Sequence, residues 1–409
     1  MGPRSVFALT YAAYIAVYFT RKPLSVTKAT LTAEHAHSEA QLGLIDTAFL
    51  VSYAAGQFAS GVVASMVGTR HGLALAFVGT GLCSYVFGSS ASPDVRAAVW
   101  AANGLFQALF FPLIVDVLRA WFPPSTRGQV MGIWTTCQQV GGFATSAFGA
   151  YVLSTPGLTW RDAFTGPSFL AFTFALVVLV LLPTAPDSLP KIASSDGPLP
   201  ASPPSMPFAA VLRVPHLPLL SAAYFCIKLV RYTYLGWLPF YLTNELGYAA
   251  AESVLMSTAF DVAGTVGSVV CGFASDKLCA GRSAKVVAPM CLLCGLCTLI
   301  YPHVAPTSQA ANLVAMALIG LFVAGPDSML GGAACAEVCD RANAPTASAM
   351  ATGITNGMGS LGAIASGMLP ILIKEQFGWT ILFYTMGGLA VLGSFMLLPM
   401  LQAPKQKTA

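Results

Sequence analysis

The sequence predicts an all-α membrane protein with twelve transmembrane helices in two related six-helix halves. Hydrophobic residues make up 56% of the 409 residues and charged residues only 9%, against about 25% charged residues in a typical soluble domain. Twelve apolar segments follow one another, and each is close to the roughly 20 residues that cross a bilayer as a helix. A stretch rich in proline and serine separates the first six segments from the last six. An ordinary soluble protein is therefore excluded.

The apolar segments define the expected domains. Their approximate bounds are 5–30, 39–66, 71–91, 95–121, 127–154, 160–183, 214–243, 250–275, 285–303, 310–336, 345–372 and 380–401. The stretch after the sixth segment, TAPDSLPKIASSDGPLPASPPSMP, contains too much proline and serine to form a packed element. We expect an N-terminal six-helix bundle at 1–184, a cytoplasmic linker at 185–208 and a C-terminal six-helix bundle at 209–409. The first segment is interpreted as a transmembrane helix, because Arg21 and Lys22 follow its apolar run and no small-residue cleavage site is present.

Lysine and arginine predict the orientation in the membrane. Most of those outside the apolar segments lie on the side that holds both termini, and the opposite loops carry only Lys28, Arg96, Arg161 and Lys374. Because cytoplasmic loops are enriched in these residues, both termini are expected in the cytoplasm. The formal net charge of +4 is too small to indicate a nucleic-acid partner. The expected surroundings are the lipid bilayer.

The two halves repeat short words in the same order. The corresponding pairs are Thr47–Phe49 and Thr258–Phe260, Gly56 and Gly267, Gly61 and Gly272, Gly104–Phe106 and Gly320–Phe322, and Trp160 and Trp379. Arg21 and Arg231 are a further pair, and the nearly constant offset of all these pairs, between 210 and 219 residues, indicates that a six-helix unit was duplicated. This arrangement resembles the parallel repeats of the major facilitator superfamily, which bind substrate near the midplane between the halves.

Four basic residues lie inside apolar segments, at corresponding places in the two halves: Arg21, Lys22, Lys228 and Arg231. A cation at the bilayer centre costs about 2.5–3.5 kcal/mol on insertion scales, so these positions require an explanation. A guanidinium can bind two oxygens of one phosphate. We expect an anion site at the domain interface, with one arginine from each half. The alternative is that each cation pairs permanently with an acid or extends to the membrane surface.

Tyrosines share helix faces with these cations, at spacings of three and four residues. The two faces hold Tyr14, Tyr18 and Arg21 on the first segment, and Tyr224, Lys228, Arg231 and Tyr234 on the seventh. All of them are candidate substrate-binding residues.

Acids inside the membrane are candidates for coupling. They are Asp46, Asp116, Asp261 and Asp327. We expect Asp261, on the eighth segment, to be the resting partner of Arg231 until a substrate phosphate displaces it. Asp46 is a candidate partner for Arg21 or Lys22. Static pairing that fixes helix packing is the alternative for both acids.

The loop GFASDKLCAGR, Gly272–Arg282, joins the eighth and ninth segments. It resembles the superfamily's cytoplasmic loop, in which an aspartate and basic residues latch helix ends together. The resemblance implies a gating role for Asp276, Lys277 and Arg282. The corresponding loop of the first half, which begins at Gly61, lacks the aspartate, so the latch is expected on one side only.

These motifs resemble the organophosphate:phosphate antiporters of the superfamily, in particular the eukaryotic sugar-phosphate exchangers related to the endoplasmic-reticulum glucose-6-phosphate transporter. The motifs are YFTRKPLSVTK at Tyr18–Lys28, LGLIDTAFLVSYAAG at Leu42–Gly56, VLRAWFPPSTRGQVMGIW at Val117–Trp134, KLVRYTYLGWLPFYL at Lys228–Leu242 and STAFDVAGTVGS at Ser257–Ser268. The family's phosphate-binding arginines fall on Arg21 and Arg231, and an acid facing the second falls on Asp261. The resemblance implies exchange of a phosphate ester for inorganic phosphate, in the endoplasmic-reticulum membrane, with plastid or plasma membrane as the alternatives.

Two positions depart from the family pattern. Gln57 replaces a lysine of some branches, and Gln138 lies near a position where several members have histidine. Both glutamines keep hydrogen bonding but remove potential positive charge, which leaves the identity of the ester open.

The sequence is also compatible with two other functions. Proton-coupled transport of an organic anion would use Asp46 or Asp261 as the proton carrier, and a sensor would have lost transport. An enzyme is not expected, because no nucleophile and base fall in one segment. No cofactor or metal is expected either: the spacing of Cys291, Cys294 and Cys297 only places them on one face of an apolar helix. A monomer is expected.

Overall fold

The computed structural model describes residues 2–34, 36–122, 130–131, 133–183, 207–279, 282–344 and 347–401, with the side chains at 58–65, 276 and 349 left out. The described residues are almost entirely helical and contain no β-strand. The long helices are α1 (Pro3–Phe19), α2 (Pro23–Ala33), α3 (Glu39–Ser89), α4 (Pro93–Trp121), α5 (Cys137–Ser154), α6 (Asp162–Leu181), α7 (Leu217–Asn244), α8 (Ala250–Phe273), α9 (Ala284–Val304), α10 (Gln309–Leu330), α11 (Ala333–Arg341) and α12 (Ser348–Leu397). Single turns at Phe208–Val211, Ala274–Leu278 and Leu398–Leu401 complete the helical structure.

The outer surface of these helices is apolar. Seven helices of the described part are long and apolar enough to cross a bilayer. On α6, the side chains of Phe169, Leu176 and Val180 are each more than 60% exposed. Contiguous apolar exposure of this kind is unfavourable in water, whereas lipid accommodates it as long as the backbone is hydrogen-bonded within the helix. The prediction of an all-α membrane protein is confirmed.

Two of the expected loops are glycine bends. The second and third apolar segments are two helices joined directly at Gly68 within the range of α3, and the eleventh and twelfth are two helices joined in the same way at Gly378 within the range of α12. The φ angles of these glycines are 77° and 80°. A Cβ atom opposes this left-handed conformation, so glycine is the residue that turns the chain here without strain.

The first segment is two helices, not the single helix that was predicted. Helix α1 ends at Phe19, a turn follows, and Pro23 begins α2. Proline lacks an N–H group, and its ring clashes with the carbonyl four residues earlier, but it is tolerated in the first turn of a helix. Arg21 and Lys22 therefore lie in the turn between α1 and α2.

Contacts group the chain into two compact units. Unit 1 contains Met1–Ser194 and Trp237–Thr258, and unit 2 contains Ser195–Gly236 and Ala259–Ala409. Helices α7 and α8 therefore contribute residues to both units. The predicted linker lies outside the described residues except for its last two positions, and the predicted domain bounds remain a prediction.

The repeated words make the same helix contacts in each unit. A Cβ atom added at Gly104 would lie 2.3 Å from the carbonyl oxygen of Phe49, and one added at Gly320 would lie 2.1 Å from that of Phe260. Each phenylalanine ends its TAF word and each glycine begins its GLF word. The glycines let α4 approach α3 in unit 1, and α10 approach α8 in unit 2, to backbone contact. The sequence repeat is thus a repeat of packing.

The core of unit 1 surrounds α1. Val6, Ala13 and Val17 are buried along one face of α1 and pack in a cluster that includes Phe110 of α4 and Trp134. Their spacing of seven and four residues is that of a single helical face. This packing holds the end of α1, and hence the turn that carries Arg21, against α4.

Candidate functional site

Aromatic rings surround Arg21 in unit 1. Its guanidinium carbon lies 4.7 Å from the ring centroid of Tyr53, 5.9 Å from that of Phe49 and 6.0 Å from that of Tyr18. Ring faces attract a cation by their quadrupole, with about 0.5–2 kcal/mol per contact. Unlike a carboxylate, they do not neutralise it. Arg21 thus lies at the turn between α1 and α2 with three aromatic rings around its guanidinium.

Tyr18 and Lys22, the predicted neighbours of Arg21, hydrogen-bond to helix α5. The hydroxyl of Tyr18 donates to Oε1 of Gln138 at 3.4 Å, and Nζ of Lys22 donates to the carbonyl oxygen of Gly142 at 3.4 Å. The structure therefore brings Arg21, Lys22, Tyr18 and Gln138 together. We call these four residues and Tyr53 the unit 1 basic group.

Two other predicted residues of unit 1 lie differently. Tyr14 is buried, and its ring packs edge-on against Trp134 with centroids 4.9 Å apart. Tyr14 thus packs in the core of unit 1, and its role in substrate binding stays a prediction. Gln57 lies on α3 with its side chain exposed.

In unit 2 a single carboxylate lies between two cations. Nζ of Lys228 is 2.9 Å from Oδ1 of Asp327, and Nη1 of Arg231 is 2.9 Å from Oδ2 of the same residue. Lys228 and Arg231 lie on α7, and Asp327 lies on α10. The side chains are 19%, 22% and 11% exposed respectively, so the cations are accessible in part. These three residues form the unit 2 basic group.

Arg231 pairs with Asp327, a partner that the sequence did not suggest, and the expected pairing with Asp261 stays a prediction. Asp261 lies on α8 and is partly buried, but the ion pair observed for Arg231 is made by Asp327. The depth of Asp327 in an apolar segment was visible in the sequence. Its partner was not, because sequence periodicity does not show which helices are neighbours.

The tyrosines of α7 divide between the basic group and the core. Nζ of Lys228 lies 5.3 Å from the ring centroid of Tyr224 and 5.2 Å from that of Tyr232. Tyr224 is therefore beside the unit 2 basic group, as predicted, and Tyr232 is a further neighbour that was missed. Tyr234 is buried, with its ring centroid 5.4 Å from that of Phe260. This stacking indicates a packing role for Tyr234.

Asp46 pairs with Lys28, not with Arg21 or Lys22 as was suggested. Lys28 was assigned to a loop, but it lies on α2 and its side chain is completely buried. Its ammonium group hydrogen-bonds Asp46 of α3 and lies 3.5 Å from the ring centroid of Trp237. An ammonium buried among apolar groups requires such partners. Lys28 and Trp237 are thus site candidates that sequence reasoning missed.

Arg96 was also assigned to a loop, and it too is buried. It lies in the first turns of α4 and donates to the carbonyl oxygen of Ser90 at 2.7 Å. Its Nη1 is 3.3 Å from Nε2 of His37, in the turn between α2 and α3. Burial, and then the charge of Arg96, lower the pKa of His37 to about 4.

The predicted gating loop is described in part. The side chain of Asp276 lies outside the described residues, Lys277 is exposed on the turn Ala274–Leu278, and Arg282 is partly buried just before α9. These residues remain a prediction.

A carboxylate that the sequence did not suggest ties helix ends together nearby. Glu337 of α11 accepts a hydrogen bond from the backbone N–H of Ser283 at 2.8 Å and forms an ion pair with Arg341. Arg341 in turn donates to the carbonyl oxygen of Met400 at 2.8 Å. These contacts link the beginning of α9 to α11 and to the last helical turn. The repeat offered no sign of them.

Within the described residues, no three histidine, cysteine, aspartate or glutamate side chains are placed to hold a metal ion. Cys291 and Cys294 are buried on α9 with their sulfur atoms unbridged.

A helical membrane fold that carries cations inside both of its units is the architecture of a transport protein.

The superfamily is shown by comparison with known proteins. The model of the Major Facilitator Superfamily matches residues 10–349, and the chain belongs to that superfamily. A solved bacterial homologue of the human lysosomal transporter Spinster, in an inward-facing and unoccupied conformation, matches with a TM-score of 0.75 over 97% of this chain and 95% of its own. At 15% identity this likeness shows the fold alone. The predicted major facilitator fold is confirmed.

Curated relatives narrow the family further. Sugar phosphate exchanger 3 of Bos taurus is 28% identical over 93% of this chain and 88% of its own length. The putative glycerol-3-phosphate transporter 2 of Arabidopsis thaliana is 32% identical over 96% and 85%. A probable hexose phosphate transport protein of Chlamydia pneumoniae is 29% identical over 98% and 92%. The predicted resemblance to the organophosphate transporters is confirmed.

Proposed function

We propose that the protein is an alternating-access antiporter that exchanges a phosphate ester, of the sugar phosphate or glycerol phosphate type, for inorganic phosphate. One observation carries the proposal: Arg21 and Arg231 occupy corresponding positions of the repeat, each beside a lysine and at least one tyrosine. A phosphate dianion suits such groups, because a guanidinium donates two parallel hydrogen bonds to its oxygens. The relatives named above, which are sugar phosphate, glycerol-3-phosphate and hexose phosphate transporters by name, support the same substrate class.

The charges of the unit 2 basic group favour an anionic ligand. Lys228 and Arg231 carry two positive charges and Asp327 carries one negative charge, so the group has a net charge of +1. A phosphate oxygen that displaces the carboxylate of Asp327 would regain both hydrogen bonds. Asp327 then acts as the resting counter-ion that holds the cations until substrate arrives.

The same charges explain why exchange is favoured over one-way movement. In the unloaded carrier Asp327 pairs with Lys228 and Arg231, and a carboxylate that stabilises the cations in one access state opposes the change to the other. A bound phosphate that replaces this carboxylate removes the obstacle in both directions. The carrier therefore changes state fastest when it is loaded, so that inward movement of one substrate is coupled to outward movement of the other.

We also propose an orientation, a membrane and an oligomeric state for the protein. The distribution of lysine and arginine supports cytoplasmic termini, and the resemblance to sugar-phosphate exchangers supports the endoplasmic-reticulum membrane. We expect a monomer, which the molar mass of the purified protein in detergent would test.

Uptake of radiolabelled phosphate into proteoliposomes tests the function. Vesicles preloaded with phosphate should take up label, and empty vesicles should not. Glucose-6-phosphate, glycerol-3-phosphate and phosphoenolpyruvate are then added outside as competitors, and the strongest inhibitor identifies the class of ester.

Matched arginine variants test the site. Arg231→Ala should abolish uptake, whereas Arg119→Ala should leave it unchanged. The side chain of Arg119 is 64% exposed, and its ion pair with Asp116 is long, at 4.0 Å. Uptake into empty vesicles that is driven by an imposed pH gradient would replace antiport with proton-coupled transport. The absence of uptake by correctly inserted protein would support a non-transporting sensor.

A further inference from the structure

Buried polar side chains surround the turn between α1 and α2. Thr20, Thr80 and Asn103 have no exposed surface, and Gln107 has 2%. They come from three elements: the end of α1, helix α3 and helix α4. Four buried polar side chains at one place in an apolar bundle are unfavourable unless they hydrogen-bond one another or the backbone.

These side chains bind the end of α1. Nδ2 of Asn103 donates to the carbonyl oxygen of Thr20 at 3.0 Å, and Nε2 of Gln107 donates to the hydroxyl of Thr20 at 3.0 Å. The same nitrogen of Gln107 lies 2.9 Å from the hydroxyl of Thr80 and 3.5 Å from the carbonyl oxygen of Val17. Thr80 in turn donates to Oδ1 of Asn103. We call Thr80, Asn103 and Gln107 the amide clamp.

The clamp satisfies what Pro23 leaves unsatisfied. The last carbonyl groups of a helix have no partners within it. Pro23 breaks the helix, because in a continuous helix its ring would clash with the carbonyl of Phe19 and it has no N–H to donate to that carbonyl. The Thr20 carbonyl thereby loses the N–H of Leu24, which it would accept in a continuous helix. A carbonyl such as that of Thr20, buried away from water, then needs a side-chain donor. Asn103 is that donor. The break and the clamp therefore form one device.

Unit 2 lacks this device at the corresponding positions. With the offset of 210 residues that relates Arg21 to Arg231, Thr20 corresponds to Val230; with the offset of 216 that relates the GLF words, Asn103 and Gln107 correspond to Ile319 and Val323. All three of these apolar residues are completely buried. Helix α7 accordingly runs through Arg231 without a break. The amide clamp is specific to the first arginine.

We propose that Thr80, Asn103 and Gln107 are positioning residues that hold the broken helix so that Arg21 and Lys22 can bind phosphate. The proposal rests on the phosphate-exchange function above. Arg21 follows Thr20 directly, so a shift of the Thr20 backbone moves the Arg21 backbone with it. Binding groups need placement within about 0.5 Å, which a loosely held proline turn does not provide.

The test replaces the clamp with the apolar residues of unit 2. Asn103→Ile and Gln107→Val are compared with Ser84→Ala, a control that removes another buried hydrogen bond of α3, from Ser84 to the carbonyl oxygen of Phe164 at 2.9 Å. Two quantities are measured on the whole protein: hydrogen exchange of the backbone amides at 20–24, and the KM and maximal rate of phosphate exchange. We expect both clamp variants to accelerate amide exchange there and to raise KM about tenfold, while the control changes neither.

The readouts separate positioning from packing. Folded clamp variants with unchanged amide exchange and unchanged KM would overturn the proposal, and so would an equal rise of KM in Ser84→Ala. If the wild-type protein does not exchange phosphate, the proposed function fails, while amide exchange at 20–24 still shows whether the clamp holds the turn.

A double variant tests the proposal if Asn103→Ile alone does not fold. Adding Pro23→Ala to Asn103→Ile allows an unbroken helix to satisfy the Thr20 carbonyl, so folding should recover. Phosphate exchange should stay at least tenfold below wild type in this double variant, because Arg21 then leaves its turn. Normal exchange by a folded double variant would contradict a role for the break.

Discussion

At the scale of single residues, the two arginines meet different partners. Aromatic rings contact Arg21, while Arg231 shares a carboxylate with Lys228. Rings hold a cation without cancelling its charge, whereas a carboxylate must be displaced before an anion can bind. Arg231 is therefore suited to the exchange of one anionic partner for another.

Substitution of either arginine by lysine tests whether geometry matters beyond charge. Lysine keeps the positive charge but loses the planar fork and one of two parallel hydrogen bonds. A charge-assisted hydrogen bond contributes about 1.5–3 kcal/mol, so Arg21→Lys and Arg231→Lys should each reduce phosphate exchange by about tenfold or more. Arg119→Lys serves as the control. Exchange by Arg21→Lys at the wild-type rate would remove Arg21 from the site.

The carboxylate of Asp327 gives a second prediction, concerning stability. Asp327→Asn leaves Lys228 and Arg231 as neighbouring like charges and should lower the free energy of unfolding by on the order of 2 kcal/mol. Added phosphate should stabilise this variant more than the wild type, because no carboxylate has to be displaced first. Thermal unfolding with and without phosphate measures the difference, with Asp116→Asn as the control. Equal stabilisation of variant and wild type would show that Asp327 does not compete with phosphate.

Sequence reasoning identified the cations but not all of their partners. Arg21, Lys228 and Arg231 were found because charge inside an apolar segment is rare. The ion pair of Arg231 with Asp327 was not predicted, since Asp261 and Asp327 both lie deep in apolar segments and only the packing of α10 against α7 brings Asp327 to Arg231. Lys28 was placed in a loop because a hydrophobicity pattern does not show that Asp46 and Trp237 meet it.

At the scale of helices, glycines at matched positions set the distance between neighbours. Gly104 and Gly320 bring their helices to backbone contact with Phe49 and Phe260. Gly104→Ala and Gly320→Ala should each destabilise the protein by about 1–3 kcal/mol, because the added methyl group forces the helices apart. Thermal unfolding in detergent measures this effect.

Gly388 provides the matched control for these glycines. It lies inside α12, and a Cβ atom added there would meet nothing within 4 Å. Gly388→Ala should be neutral or stabilising by up to about 1 kcal/mol, the difference in helix propensity. Destabilisation of all three variants alike would show that close approach is not the reason for the glycines.

Helix boundaries were the least predictable elements. Apolar length identified the segments, because each span must cover the same bilayer thickness. It did not reveal the break before Pro23, since a proline is compatible both with a kink and with a new helix. Nor did it show that a single glycine, Gly68 or Gly378, joins one helix directly to the next. Backbone geometry of this kind depends on tertiary contacts.

At the scale of the whole molecule, the repeat is conserved in packing but not in chemistry. The contacts of Gly104 recur at Gly320, yet the amide clamp and the Pro23 break occur in unit 1 alone among the described residues. Duplication therefore accounts for the architecture, and later divergence accounts for the two different arginine environments. The proposed phosphate-binding residues therefore have different surroundings in the two units.

The stability of the whole protein should depend on pH through His37. Burial lowers its pKa to about 4 in the folded protein, whereas an unfolded chain has a histidine pKa of about 6.5. Between these values the unfolded state binds more protons, so the free energy of unfolding should fall as pH decreases from about 6.5 to about 4. A protonated His37 would also face the guanidinium of Arg96, whose Nη1 is 3.3 Å away.

The variant His37→Gln tests this pH dependence. It keeps a neutral hydrogen-bonding group at position 37 and should flatten the profile of unfolding temperature against pH between about 4 and about 6.5. His303→Gln, which alters an exposed histidine bonded to Tyr384, should retain the wild-type profile. A wild-type pH profile in His37→Gln would assign the acid sensitivity to other groups.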